Sequence, residues 1–216
     1  MKRRKFLVPI AVCTLLAFST IPMCRGMVIT FDDLSETGSG SYFTAPYQGL
    51  VWSNFLPLNA ILSPPVFGTN GYYYGMVSAS NVVVNGIGSP GEIDSPGTNF
   101  NFLSAYFTGA YNSNLNIQVL GFNGTSLLYS QVVVASATTP TQFSFNYLNI
   151  DRLYFSNFGG QPAFGTPSAL QFVMDNFAFE FVPEPSSLLL ATAGALVLWP
   201  LLMRKRACAS RGAPAP

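Results

Sequence analysis

Residues 116–135 have the sequence NIQVLGFNGTSLLYSQVVVA, in which two runs of apolar and β-branched residues flank Asn123-Gly124. Asn-Gly between two such runs is the strongest short signal for a β-hairpin. With Thr125 the same residues form a glycosylation sequon, but we favour the hairpin. The stretch therefore predicts antiparallel strands over residues 116–122 and 126–135.

Similar short runs, separated by Gly, Asn, Pro and Ser, continue in both directions along the chain. We predict further strands near residues 28–31, 49–54, 72–77, 81–84, 100–108, 141–145, 152–155 and 171–181. Aromatic residues recur with period two, which gives a strand one buried face; the sets are Phe143, Phe145 and Tyr147, and Phe177, Phe179 and Phe181. No stretch of residues 27–181 has a convincing period of 3.6. The pattern predicts an all-β fold, a single antiparallel β-sandwich of jelly-roll type.

The charges of the chain are segregated. Nine of its ten Lys and Arg residues lie outside residues 27–185, whereas all nine Asp and Glu residues lie inside. Arg152 is the one cation of that region, so one positive and nine negative charges give a formal net charge of −8. Such a body repels phosphate backbones, which excludes nucleic acid as a partner. Cationic flanks around an acidic body are typical of a protein threaded across a membrane with its flanks in the cytoplasm.

Several classes of catalysis are excluded by composition. The chain has no histidine, and Cys13, Cys24 and Cys208 all lie outside residues 27–181. Ser-His-Asp and Cys-His catalysis, and a disulfide within the sandwich, are therefore excluded. Glu92 and Asp94 lie in a Gly/Pro-rich segment that predicts a solvated turn or a cation ligand, rather than the carboxylate pair of a glycosidase. We predict that the protein is not an enzyme.

Two apolar segments flank the predicted sandwich. Residues 1–5 are cationic and residues 6–18 are apolar, which predicts a signal peptide over residues 1–26; an uncleaved anchor is the alternative. Residues 186–203 are eighteen uncharged residues, close to the ~20 that cross the hydrocarbon. We predict a transmembrane helix there and a cytoplasmic tail over residues 207–216. The alternative, a buried core helix, is disfavoured because a basic cluster, Arg204-Lys205-Arg206, follows directly.

The segment 182–206 combines Pro183-Glu184-Pro185, the apolar span and the basic cluster. In this order and spacing the three parts resemble the PEP-CTERM sorting signal of exported bacterial proteins, also named the ice-binding protein C-terminal domain. The resemblance implies an exosortase-type sorting enzyme as partner, with removal of the tail near the PEP motif. It further implies a protein that is first held in the membrane with its body outside the cytoplasm, and then placed at the cell surface or released.

Three acidic residues are candidate metal ligands. Asp32 and Asp33 end the first predicted strand, and Asp175 is in phase with Phe177 in the last, which places its carboxylate on the buried face. A buried carboxylate needs hydrogen bonds, a cation or a raised pKa. The arrangement resembles exported carbohydrate-binding sandwich modules, in which acids on the terminal strands hold a structural calcium ion. The alternative is that Asp32 and Asp175 accept backbone N–H bonds.

Aromatic residues supply a second candidate site. Trp52 and the run Tyr72-Tyr73-Tyr74 would form a platform for glycan stacking, with core packing as the alternative. The blocks ITFDDL, YQGLVWSNF, GYYYGMVSASNVVVN and FVMDNFAFE resemble secreted jelly-roll domains of unassigned function. We therefore expect a non-catalytic protein of the cell surface or extracellular matrix. The alternative is a carbohydrate-binding module for exopolysaccharide, and a glycan hydrolase comes third.

Overall fold

The computed structural model describes residues 26–165 and 168–183. It contains two short helices, α1 (Pro64–Phe67) and α2 (Gly71–Tyr74), and a 3₁₀ turn at Gly86–Gly88. The strands are β1 (Met27–Ile29), β2 (Val51–Ser53), β3 (Phe55–Asn59), β4 (Asn81–Asn85), β5 (Gly91–Asp94), β6 (Phe100–Gly109), β7 (Asn112–Ser113), β8 (Leu115–Asn123), β9 (Ser126–Ala135), β10 (Thr141–Ile150), β11 (Arg152–Phe158), β12 (Gln161–Pro162) and β13 (Phe172–Phe181). The all-β prediction is confirmed.

The strands form two large antiparallel sheets. Sheet I has the order β10-β6-β13-β4-β3, with β1 paired to β13, and sheet II has the order β2-β5-β11-β8-β9. A small third sheet pairs β12 with β7. Apolar side chains from both large sheets share one core cluster, so sheets I and II pack face to face as a sandwich. The first and last strands are neighbours: Met27 lies opposite Phe179, and Ile29 opposite Phe177.

The hairpin predicted around Asn123-Gly124 is present. Strands β8 and β9 pair from Leu115 opposite Ala135 to Asn123 opposite Ser126. Gly124 closes the turn with a φ of 57°, a left-handed conformation that a glycine adopts without strain. Tyr129 lies opposite Gly121 and Leu127 opposite Phe122, so Leu128 is an extra residue, a bulge.

The core is mostly aromatic. The largest fully buried side chains include nine phenylalanines: Phe31, Phe55, Phe100, Phe102, Phe107, Phe155, Phe172, Phe177 and Phe179. A second, smaller cluster lies on the other side of sheet I, where Leu58, Val82, Val84 and Val173 pack under Tyr72 of α2. Among the described residues, the buried members of both clusters lie between residues 29 and 179, so residues 26–183 supply a core of their own and form a folding unit of ordinary domain size.

One predicted strand, over residues 72–77, is wrong. Its first part is α2, and the side chain of Asn70 caps that helix by accepting a hydrogen bond from the Tyr72 N–H at 2.9 Å. Gly71 packs against the backbone of β6 so tightly that a Cβ atom would lie 1.9 Å from the carbonyl oxygen of Gly109. This close approach holds the segment against sheet I as a helix, although the tyrosine run favours a strand.

Strand β5 overturns the prediction of a solvated turn around Glu92 and Asp94. The strand lies inside sheet II, between β2 and β11. Ile93 is fully buried, and a Cβ atom on Gly91 would lie 2.6 Å from the ring of Phe55. Prolines on both sides of this segment favour a turn in the sequence, although the segment is a four-residue strand whose one inward side chain is Ile93. Strand β3 was missed for a similar reason, since Pro57 is tolerated in it only because it is an edge strand.

The predicted signal peptide over residues 1–26, the PEP motif from Glu184 onward, the transmembrane span 186–203 and the tail 207–216 fall almost wholly outside the described residues. Among the residues that are described, no helix is long and apolar enough to span a membrane.

Candidate functional site

Asp175 is a fully buried acid that holds the segment after α2 against sheet I. Its Oδ2 atom accepts hydrogen bonds from the N–H groups of Val77 at 2.7 Å and Ser78 at 2.9 Å. Its Oδ1 atom accepts from the Ser78 hydroxyl at 3.0 Å and from the Asn176 N–H at 2.6 Å. We call this arrangement the Asp175 anchor.

The sequence predicted the burial of Asp175 but placed it on the wrong face of the strand. Met174 and Phe177 both belong to the core between the sheets, whereas Asp175 lies opposite Tyr106 on the outer face of sheet I. The phase changes because Asn176 has a φ of 50°, where β13 contains a bulge relative to β6. Asn tolerates this left-handed conformation better than most side chains.

Burial is the largest influence on the Asp175 carboxylate. It raises the pKa of Asp175 from an ordinary 3.8 to about 6, although the hydrogen bonds from Val77, Ser78 and Asn176 act in the opposite direction. The buried charge is therefore costly, and the anchor donors recover only part of that cost. Such a site stabilises one backbone arrangement.

The other two candidate calcium ligands have separate partners. Asp32 Oδ1 accepts from the Asn81 N–H at 2.9 Å. Asp33 accepts from the hydroxyl of Tyr47 and, at 3.4 Å, from Gln48 Nε2. Burial, and then the hydrogen bond to Asp33, raises the pKa of the Tyr47 hydroxyl above its ordinary range.

These contacts do not fit a shared calcium ion. No group of three His, Cys, Asp or Glu side chains among residues 26–165 and 168–183 is arranged to hold a metal. Calcium needs oxygen ligands, whereas the atoms that face Asp175 are mostly N–H donors. Asp32 and Asp175 instead accept backbone N–H bonds, which is the alternative that the sequence left open. The calcium site stays a prediction without support from this geometry.

The proposed aromatic platform is not assembled. Trp52 is 4% exposed and lies in the core, with ring centroids 5.4 Å from Phe177 and 5.5 Å from Phe31. Tyr72 is buried in the smaller cluster. Of the four residues proposed for the platform, Tyr73 and Tyr74 are exposed and the other two are buried. The platform does not form because Trp52 lies on the inward face of β2 and Tyr72 lies in the first turn of α2, which packs against sheet I.

A polar cleft lies at one end of sheet II and is the best candidate for a binding site. Its volume is about 470 Å³, within the range of roughly 300–1,000 Å³ that small-ligand sites have. The loop after β5, residues 95–99, forms one wall, and the other lining residues are Asp94, Gly124, Asp151 and Arg152. We call it the Asp94 cleft. Sequence analysis missed Ser95, Asp151 and Arg152, because no local motif brings them together.

The acids beside this cleft interact with one another. Glu92 and Asp94 are two residues apart on β5, so both project from the face opposite Ile93. Burial, and then the negative charge of Glu92, raises the pKa of Asp94 from 3.8 to about 6. Arg152 lies directly opposite Asp94 on β11 and partly offsets this effect. Its guanidinium also lies 3.9 Å from Glu92 and 4.4 Å above the ring of Phe122.

The hydroxyl of Ser95 adds an unsatisfied polar group to the cleft. Ser95 is 4% exposed, and its Oγ atom has no hydrogen-bond partner among the described residues. Its backbone N–H donates to the Asp151 carbonyl at 2.8 Å, and the Asp151 carboxylate accepts from the Gly124 N–H at 2.7 Å. Two hydrogen bonds through Asp151, one to its backbone and one to its side chain, therefore connect the walls. Because the Oγ atom is itself buried, it is not exposed to a ligand in the cleft.

Comparisons with known proteins do not identify the chain. No family model and no curated protein matches it. The solved structures that are similar to it include three of low identity. A DUF4465 family protein from Bacteroides ovatus has 12% identity and a TM-score of 0.39, covering 58% of this chain and 71% of its own. The K1 cleaved adhesin domain of Lys-gingipain from Porphyromonas gingivalis has 10% identity and a TM-score of 0.39. The similarity covers 74% of this chain and 99% of that domain.

The third structure is TmCBM61 in complex with β-1,4-galactotriose, with 11% identity and a TM-score of 0.33, covering 64% of this chain and 90% of its own. These scores are too low to assign a function, so the proposals below depend on the residues of the chain itself.

Proposed function

We propose that the chain is an exported, non-catalytic surface protein whose sandwich lies outside the cytoplasm and whose tail is a sorting signal for an exosortase-type enzyme. The observation that carries this proposal is the charge pattern: an acidic body with a net charge of −8 lies between two apolar segments with basic flanks. The resemblance of residues 182–206 to the PEP-CTERM signal supplies the sorting step.

Intact mass of the mature protein tests the sorting step. In a host with an exosortase, the mature protein is expected to lack residues 1–26 and everything after about Pro185. Deletion of the exosortase should leave a membrane-bound form that still contains Cys208. A mature protein that keeps its tail in both strains would contradict sorting, and the segment would then be a plain membrane anchor.

A second candidate function, saccharide binding, is favoured by the Asp94 cleft. Sugar hydroxyls both donate and accept hydrogen bonds, and this cleft offers both kinds of partner. The carboxylates of Asp94 and Asp151 accept, and the guanidinium of Arg152 donates. Three carboxylates, counting Glu92, face one guanidinium, so the local charge repels acidic sugars. The ligand class that fits is therefore a neutral saccharide.

Affinity electrophoresis tests this second function with dextran and galactomannan as neutral probes and alginate as the acidic probe. A neutral gel should retard a fragment of residues 26–183, whereas alginate should not. Replacing Asp94 by Asn should weaken retention roughly tenfold or more, the effect of losing one hydrogen bond to a charged group. The control Glu36→Gln removes the same charge elsewhere and should behave as wild type. Equal retention of both variants would refute a role for the cleft.

A further inference from the structure

Strand β9 is a free edge of the sandwich. It ends the order of sheet II and pairs only with β8 among the described strands. Beyond the bulge at Leu128, the pairing is regular from Tyr129 to Ala135. Seven residues in a strand span roughly 24 Å. This edge therefore presents a straight row of backbone donors and acceptors on the side away from β8.

The other edge strands of the two large sheets are blocked or short, as edges in natural proteins usually are. Strand β1, which pairs only with β13 among the described strands, has three residues. Strand β2 has three residues, and β3 contains Pro57, which cannot donate a hydrogen bond. Strand β10 is interrupted by two register shifts, with left-handed residues at Asn146 and Asn149. Among the edge strands that the structure describes, only β9 combines length with regular pairing.

The β9 edge is also apolar and uncharged. Leu127, Leu128, Val132 and Val134 are all about half exposed. No Asp, Glu, Lys or Arg occurs anywhere in residues 95–150, although the body carries a net charge of −8. Charged side chains, lysine above all, are the usual means of preventing edge-to-edge pairing, and this edge has none.

We propose that two copies of this chain associate through their β9 edges, pairing antiparallel to form one continuous sheet of ten strands. In a two-fold contact each residue near the axis meets its own counterpart, so a charge there would face the same charge. The segment YSQVVVA, residues 129–135, meets this requirement because all seven residues are neutral. A second copy is the occupant that fits: a strongly charged partner finds no opposite charge here, and two copies of this acidic protein can meet here without bringing like charges together.

The test is the mass of the 26–183 fragment by sedimentation velocity between about 1 μM and 1 mM, the Kd range of weak interfaces. The fragment is expected to shift from monomer to dimer with concentration. Val132, 47% exposed at the middle of the edge, is replaced by Lys; the matched control is Val28→Lys, on β1 and 58% exposed. Val132→Lys should raise the dimer Kd roughly tenfold or more, whereas Val28→Lys should leave it unchanged.

Hydrogen exchange locates the contact independently of any variant. Amides of residues 129–135 should exchange more slowly as the concentration rises, whereas amides of β3, at another edge, should not change. Melting curves confirm that both lysine variants are folded. A fragment that stays monomeric at 1 mM, equal effects of the two variants, or protection of another segment in place of β9 would each overturn the proposal.

Discussion

Replacing Asp175 by Ala removes the acceptor of the Asp175 anchor and leaves the sandwich core otherwise intact. Three backbone N–H groups, those of Val77, Ser78 and Asn176, lose their partner. The Ser78 hydroxyl keeps a second acceptor, the Thr30 carbonyl oxygen at 3.4 Å. We expect a large loss of stability from one side chain that contributes nothing to the apolar core.

The size of the loss follows from two opposing effects. A buried donor without a partner costs about 1–3 kcal/mol, so three such groups cost about 6 kcal/mol. Removal of the buried charge returns about 3 kcal/mol at pH 7, from the difference between a pKa of 3.8 in the unfolded chain and about 6 in the folded one. The net expectation is a loss of about 3 kcal/mol in the free energy of unfolding at pH 7.

The loss of stability caused by Asp175→Ala should be larger at lower pH. The folded state holds the Asp175 proton more tightly, so this group's stabilising contribution is complete below pH 3.8 and is lost as the pH rises through about 6. Between pH 7 and pH 5 the wild type therefore gains about 1 kcal/mol from Asp175. The Ala variant does not, so the deficit should grow by that amount at pH 5.

Urea unfolding of the 26–183 fragment at pH 5 and pH 7 measures both quantities. Asp175→Asn keeps one acceptor and has no charge, so its loss should be smaller. Glu36→Gln, which removes an acid outside the anchor, serves as the control for charge alone. A deficit under 1 kcal/mol for Asp175→Ala at both values of pH, or a deficit that shrinks at pH 5, would refute the role assigned to the anchor.

Three further expectations concern the candidate sites. Trp52→Ala should reduce the free energy of unfolding by about 3–5 kcal/mol, because a large core side chain is lost. Tyr73→Ala should change the melting temperature little. Equal effects of the two variants would argue against the packing described. Glu92→Gln should lower the pKa of Asp94 below about 6 in an NMR titration, since the charge of Glu92 helps to raise it, and an unchanged pKa would show that the two carboxylates do not interact. Melting in excess Ca²⁺ and in EDTA should coincide; a rise with Ca²⁺ would revive the calcium site.

The fold was largely predictable because its main signals are local. Asn123-Gly124 between two β-branched runs needs nothing beyond its own turn geometry, and the structure confirms that hairpin. The segment around Tyr72 was predicted wrongly because its conformation depends on Gly71 packing against Gly109, a residue distant in sequence. Tyrosine propensity for strands could not report that contact.

The candidate sites were harder to predict because they depend on register. Asp175 was placed on the wrong face since the bulge at Asn176 breaks the period of two. The Asp94 cleft combines the end of β5 with the start of β11, more than fifty residues later. No spacing rule connects those segments without the sheet order.

The location of the sandwich outside the cytoplasm is tested most directly by labelling a single cysteine. The native cysteines, Cys13, Cys24 and Cys208, are replaced by Ser in the full chain, and Leu62, which is 53% exposed, is replaced by Cys. A membrane-impermeant maleimide should label this variant in intact spheroplasts as fully as after lysis. Ala135→Cys, at a fully buried position, should react only after denaturation. Labelling of the Leu62→Cys variant only after lysis would place the sandwich in the cytoplasm and contradict the proposed function.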